Sequence, residues 1–204
     1  MSATLLMCSP EGFSVNYEIN PWMEKQVGNV VREVALSQWG ALFDILSGMA
    51  EIQVMPGDAA WPDLVFTANA GLPVPGTKRF ILSSFRYPQR QGEKPLNRAW
   101  LESRGWECVE LPCGISFEGA GDALADSRGN LWFGYGFRSD AAAAALLTRQ
   151  MDMPIRPLQL ADPAYYHLDT CFCPLSDGSA LYLPDAFAAH SRQQLERVFG
   201  TGLI

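Results

Sequence analysis

At 204 residues, with 48% hydrophobic and 18% charged residues, the chain has the make-up of one globular domain rather than of a disordered segment. A net charge of −7 without any basic stripe argues against a nucleic-acid partner, whose phosphates need clustered cations. The N-terminus, MSATLLMCSPEGF, has neither the basic start nor the apolar run of a signal peptide, and no stretch approaches the ~18 apolar residues of a membrane span.

In chain order, Leu5 to Cys8 predicts a short strand, and residues 22–48 a long helix, from Trp22, Val27, Val30, Val31, Val34, Leu42, Ile45 and Leu46 at mostly helical spacing. Strands follow at Glu51 to Met55, Leu64 to Ala68 and Arg79 to Ser83, the last two separated by the turn-rich GLPVPGTK. A helix over 94–104 ends at Gly105, and Glu107 to Leu111 is the next strand. Asp122 to Ala125 and Leu131 to Gly134 read as a hairpin. Ser139 is placed to cap a helix over 140–151, stopped by Pro154, and Ile155 to Leu160 is a strand. Leu168 to Pro174 and Ala180 to Leu183 pair through Ser176-Asp177-Gly178, and a last helix covers 190–199. The order is an internal repeat of ββαβ units with a period of about 45 residues.

The five cysteines, Cys8, Cys108, Cys113, Cys171 and Cys173, are odd in number and lack disulfide-framework spacing. Free thiols in a reducing cytoplasm account for them.

Three segments place polar residues where a plain strand has none. In Trp61-Pro62-Asp63-Leu64-Val65-Phe66-Thr67-Ala68-Asn69 an acid opens an apolar run and an amide closes it, which suits either a cap and a turn or a ligand site. In Phe117-Glu118-Gly119-Ala120-Gly121-Asp122 two carboxylates flank glycines that serve an ordinary turn or allow close backbone approach to a ligand. In Tyr165-Tyr166-His167-Leu168-Asp169-Thr170-Cys171-Phe172, His167 and Asp169 are two apart on a predicted strand and so share a face. A lone strand histidine is commonly a satisfied core residue. This chain has only two, and a neighbouring buried acid needs a partner, which favours a general acid/base beside a cation-binding carboxylate.

These segments, with MCSPEGFSVNYEINPWM, FRYPQRQGE and GFRSD in the same order, resemble the amidinotransferase and arginine hydrolase superfamily, the penteins. HLDT and PDLVFTAN are the most specific of the motifs, and NPWM and FTAN lean toward the arginine dihydrolase branch over the dimethylarginine dimethylaminohydrolase branch. The resemblance implies an α/β propeller of repeated ββαβ units around a substrate channel, here one pentein domain over 1–204 of about four of five units, incomplete at the C-terminus. It also implies roles: His167 as general acid/base with Glu118 orienting it, Asp63 and Asp169 holding a guanidinium, and Arg90 and Arg138 holding the substrate's α-carboxylate. Asn20 and Asn69 resemble further substrate contacts. No cofactor or metal ion belongs to such a site.

The family's nucleophile is a cysteine thiolate in the fifth unit, beyond Ile204 in this numbering. Cys171 and Cys173 lie inside the HLDTCFCPL motif and read as apolar thiols; a Cys-x-Cys metal pair lacks further ligands at suitable spacing. Two functions are therefore expected to compete. One is a hydrolase of the guanidino C–N bond of arginine or a methylated arginine, giving citrulline or ornithine, with this chain inactive alone. The other is an inactive guanidinium-binding or protein-interaction module. An unfinished fifth unit leaves strand edges exposed, which favours self-association into a homo-oligomer.

Overall fold

The computed structural model describes residues 4–204. β1 (Thr4–Cys8) runs parallel to β2 (Glu51–Met55), and α1 (Arg32–Ser47) supplies the crossover that parallel pairing requires. β3 (Gly71–Pro73) and β4 (Arg79–Leu82) then form an antiparallel pair. The short α2 (Pro88–Gln91) and α3 (Glu93–Glu102) carry the chain back to β5 (Glu107–Val109), parallel to β4. The arrangement recurs with β6 (Ala123–Ala125), β7 (Leu131–Tyr135), α4 (Ala143–Gln150) and β8 (Ile155–Gln159). A third copy begins with β9 (Phe172–Pro174), β10 (Ala180–Tyr182) and α5 (Ala189–Phe199), after which Leu203 makes a single parallel bridge to Ala180. The leading strands start at Gly71, Ala123 and Phe172, so the repeat spacing is 52 and then 49 residues, somewhat above the expected period.

β7 shows why the units stack. Its residues alternate between two faces, so Leu131 and Phe133 enter one core cluster with Ile81, Phe117 and Leu147. Trp132 enters a second with Leu158, Leu168, Phe172, Leu195 and Phe199. All three are buried, as expected of a central strand covered on both sides. Among the described residues, no helix is long and apolar enough to cross a membrane.

Four expectations are corrected. The helix expected over 22–48 is a 3-10 turn at Pro21–Met23, an irregular stretch, and then α1. Lys25 at φ 59° and Gly28 at φ 77° are left-handed, which a right-handed helix does not admit, so the apolar residues before Val31 belong to a loop. The strand expected from Leu64 to Ala68 is two 3-10 turns, Pro62–Val65 and Thr67–Ala70, closed by the Phe66 N–H on the Asp63 carbonyl and the Asn69 N–H on the Phe66 carbonyl. The strand expected from Leu168 begins only at Phe172. Before it lies a 3-10 turn, Leu168–Thr170, whose first N–H is taken by the Asp122 carboxylate rather than by a neighbouring strand. Ser139 does not cap α4. Its hydroxyl donates to Asp122 Oδ2 at 2.6 Å and accepts the Glu118 N–H at 3.0 Å.

These corrections share a pattern. A 3-10 turn stands just ahead of the first strand of each unit: Thr67–Ala70 before β3, Gly119–Gly121 before β6, and Leu168–Thr170 before β9. The repeat thus carries three equivalent turns to one place, each with its own polar residues.

Candidate active site

The three turns meet around a cleft of about 500 Å³, lined by Asn20, Asp63, Asn69, Arg90, Arg138, His167 and Asp169 among others. Glu118 lies behind the lining and touches it through His167 and Arg138. All eight residues singled out from the sequence are therefore assembled, although they come from turns, loops and the short α2 spread over most of the chain.

His167 lies at the centre and is only 4% exposed. Glu118 Oε2 is 3.4 Å from its Nε2, and Asp122 Oδ1 is 3.1 Å from its Nδ1, though off the line of a good hydrogen bond. Burial alone would lower the histidine pKa. The two carboxylates, Asp122 foremost, outweigh it and raise it to about 9, so the ring is an imidazolium at neutral pH. Burial likewise works to raise Glu118, which is fully buried, but His167 and Arg138 hold it below the usual carboxylate range. The second histidine carboxylate, Asp122, had a place in the sequence motif but no role assigned to it. Its position four residues after Glu118, across the glycine-rich turn, is the one signal that points there.

Arg138 is also buried. Its guanidinium lies over the rings of Tyr87 and Tyr166, at 4.8 and 4.6 Å, and donates to Glu118 Oε2 and to the Ile19 carbonyl, both at 3.1 Å. Three of its five N–H donors are left uncommitted within the described residues. Asn69 is fixed in orientation: Oδ1 accepts from Arg90 at 2.9 Å, while Nδ2 donates to the Glu118 carbonyl at 3.1 Å. Gly121 is what lets Asn69 stand there, since a Cβ on that glycine would come within 2.3 Å of Asn69 Nδ2. The close backbone approach expected of the glycine-rich turn is thus made to a site residue.

Asp63 is 2% exposed, and among the described residues its Oδ1 makes no hydrogen bond of good geometry, although the Tyr17 hydroxyl is close enough to favour its charged form. The buried hydroxyl of Tyr17 likewise makes no well-formed hydrogen bond among the described residues. Burial pushes the Asp63 pKa up, against the pull of Arg90, and burial with Asp63 nearby pushes the Tyr17 hydroxyl up as well. Asp169 lines the cleft from an exposed position at its edge. His167 and Asp169 reach the cleft from either side of the Leu168 turn position rather than from one face of a strand. The loop before α1 forms the opposite wall: Asn20 Oδ1 caps the Met23 N–H at 3.1 Å, and the Trp22 indole donates to the Ala164 carbonyl at 2.7 Å.

No cysteine lines the cleft. Cys171 is buried, with its thiol on the carbonyls of His167 and Leu168, and burial pushes its pKa up to about 12; Cys8 is pushed up to about 11 in the same way. At pH 8 the thiolate fraction of Cys171 is then on the order of one in ten thousand. A thiol-reactive dye should label the exposed Cys113 and Cys173 of the native chain first, and reach Cys8 and Cys171 only on unfolding. Rapid modification of Cys171 in the native state, read by peptide mass, would contradict this.

No protein-family model matches the chain. It is 45% identical over 192 residues to the bifunctional arginine dihydrolase/ornithine cyclodeaminase AgrE of Nostoc sp., an alignment covering 94% of this chain but 27% of that protein. It is 33% identical over 199 residues to the N(G),N(G)-dimethylarginine dimethylaminohydrolase of Mycobacterium tuberculosis, covering 97% of this chain and 64% of the relative. Among solved structures, the N-terminal domain of ArgZ, a cyanobacterial arginine dihydrolase captured with substrate in a cysteine-to-serine variant, superposes with a TM-score of 0.95. The two are 43% identical, and the match covers 98% of this chain and 74% of that domain. The chain thus spans little more than a quarter of the bifunctional relatives.

Proposed function

Since the chain belongs to the pentein superfamily of arginine hydrolases, with the arginine dihydrolases and dimethylargininases, we propose that its cleft binds free arginine for hydrolysis of the guanidino C–N bond. Methylated arginine is the second candidate, less favoured because the chain is more similar to the dihydrolases. The observation that carries the reading is the charge layout of the cleft. Among the described residues, Asp63 offers a carboxylate oxygen without a well-formed hydrogen bond, and Arg138 offers three uncommitted donors. A carboxylate pairs with a guanidinium through charge-assisted hydrogen bonds, and an arginine fork does the same for an α-carboxylate. Asp169 adds negative charge at the guanidinium end, and Arg90, Asn20 and Asn69 add donors and acceptors along the wall.

In this reading a thiolate attacks the guanidino carbon and forms a C–S bond. His167, protonated at neutral pH, gives its proton to the nitrogen that leaves as ammonia. Water then attacks the same carbon, the C–S bond breaks, and citrulline departs as the thiolate is restored. A second round on citrulline, with another water, yields ornithine, ammonia and carbon dioxide. The thiolate is supplied from outside these 204 residues, because none of the five cysteines here faces the cleft. Five free thiols and a net charge of −7 support a reducing cytoplasm and a small-molecule rather than a nucleic-acid partner.

Calorimetric titration tests the reading. The 204-residue chain should bind arginine with a dissociation constant on the order of 1 mM, equivalent to about 4 kcal/mol. Uncharged citrulline should bind at least about tenfold more weakly, the loss of one or more charge-assisted contacts, and neither citrulline nor ornithine should form from arginine. Equal affinity for the two would show that the carboxylates do not read a guanidinium.

A further inference from the structure

Arg90 has two carboxylates beside its guanidinium, Glu93 and Asp63, and hydrogen-bonds only the first. It is 3% exposed and lies over the Phe85 ring, 4.6 Å from its centroid. Glu93 takes the edge of its guanidinium with both oxygens, Oε1 on Nε at 2.7 Å and Oε2 on Nη2 at 2.8 Å. The Asp63 carbonyl takes the other Nη2 hydrogen at 3.0 Å, and Asn69 Oδ1 takes one on Nη1 at 2.9 Å. Four of five donors are thus committed, and one Nη1 hydrogen is left on a side chain that lines the cleft.

The nearest rival for Arg90 is the Asp63 carboxylate, whose Oδ2 is 3.8 Å from Arg90 Nε, a separation that carries charge attraction without a hydrogen bond. That Nε–H is the one Glu93 Oε1 holds. An aromatic face beneath the guanidinium resists neither sliding nor rotation, so the bidentate carboxylate sets its azimuth. Glu93 itself is fixed: it opens α3, where the helix N-terminus favours an anion, and it is 1% exposed. Gly92, just before it, packs so closely on the Trp61 ring that a Cβ there would clash with the indole, which pins the α2–α3 junction carrying both partners.

We propose that Glu93 is a positioning residue: by holding the Arg90 guanidinium edge-on, it keeps Arg90 from closing onto Asp63 and so keeps the Asp63 carboxylate available to a ligand cation. The inference rests on the guanidinium-binding reading for its ligand, but its geometric core does not. Remove the Glu93 charge, and the closest anion to Arg90 Nε is Asp63. Arg90 then turns to it, and the ligand's guanidinium must compete with a resident one.

The test uses the 204-residue chain, agmatine as a guanidinium without an α-carboxylate for Arg90 to contact, and ¹³C NMR titration of the Asp63 carboxyl. In Glu93→Gln the Asp63 titration should move down by about one pH unit or more, the usual effect of an arginine brought into contact. Agmatine affinity should fall about tenfold, and Arg90→Met added to Glu93→Gln should restore it, since the intruding cation is gone. Glu93→Asp, too short to keep both hydrogen bonds, should give the same signs at smaller amplitude. An unmoved Asp63 titration overturns the proposal even if affinity drops, because a purely structural role predicts that result. Loss of the fold in both Glu93 variants overturns it for the same reason. If the unmodified chain binds no guanidinium, the functional reading fails while the Asp63 titration still decides this inference.

Discussion

Between pH 7 and pH 9 the folded chain should lose about 2 kcal/mol of stability, and His167→Asn should remove most of that slope. The His167 pKa is raised to about 9 in the fold, against an ordinary value of 6.5, by the Asp122 and Glu118 carboxylates. A group with a raised folded pKa binds its proton more tightly when folded. Its contribution is complete below the unfolded pKa and disappears as pH rises through the folded one. The full shift corresponds to roughly 3 kcal/mol, of which about 2 falls within this window. Other groups leave the window largely clear. Burial raises Glu93 to about 7, so most of its loss falls below the window and only a few tenths of a kcal/mol within it, and Cys8 and Cys171 at about 11 and 12 add theirs only higher up. Urea unfolding at pH 7, 8 and 9 measures the slope in both proteins. An unchanged slope in His167→Asn would place the titrating group elsewhere.

The second large effect belongs to Glu118. Replacing it with Leu should lower the unfolding free energy by about 3–5 kcal/mol, because it strands two buried cations, Arg138 and the His167 imidazolium, without their shared anion. For a domain of this size that is a fall in Tm of roughly 6–20 °C. Adding Arg138→Met should recover a good part of the loss, since the cost lies in the orphaned charge rather than in the missing contact. Glu110 is the contrast. It pairs with both Lys94 and Arg98, yet its side chain is 44% exposed, and Glu110→Leu should cost less than about 1 kcal/mol. Equal losses from the two variants would mean that burial does not set the energetics here.

Much of the framework was legible because ββαβ units announce themselves by period and punctuation. The order from β4 to α5 matches the expected one apart from the short α2, with ends shifted by a few residues, whereas β3 lies at the start of the GLPVPGTK stretch that reads as a turn. What misled was composition at the centre. Leu64, Val65 and Phe66 are apolar and β-prone, and Leu168 is apolar too, but the chain in both places folds as a tight turn whose N–H groups are satisfied locally or by Asp122. Periodicity reads patterns of burial over several residues and has no purchase on three-residue turns. The polar residues on those turns were found through motif resemblance, not through the strands assigned to them. Asp122, Glu93 and Tyr17 escaped for a different reason. Their importance comes from partners far along the chain or across a turn, and nothing in a single segment states it. The i, i+3 spacing of Arg90 and Glu93 was the one local hint, and it is shared by many exposed pairs.

The cleft's hydrogen bonds join residues far apart in the chain: 49 positions for Asn69 to Glu118, 119 for Arg138 to Ile19, and 142 for Trp22 to Ala164. Closing loops of that length is a late event in folding, since chain entropy must be overcome before such contacts return anything. A ligand therefore meets no binding-competent species until the units have docked. Saturating arginine should leave the refolding rate untouched and act wholly on the reverse step. At ten times its dissociation constant it should stabilise the chain by about 1.4 kcal/mol, appearing as roughly tenfold slower unfolding. Under the proposed function, arginine would protect what has already folded and could not recruit what has not.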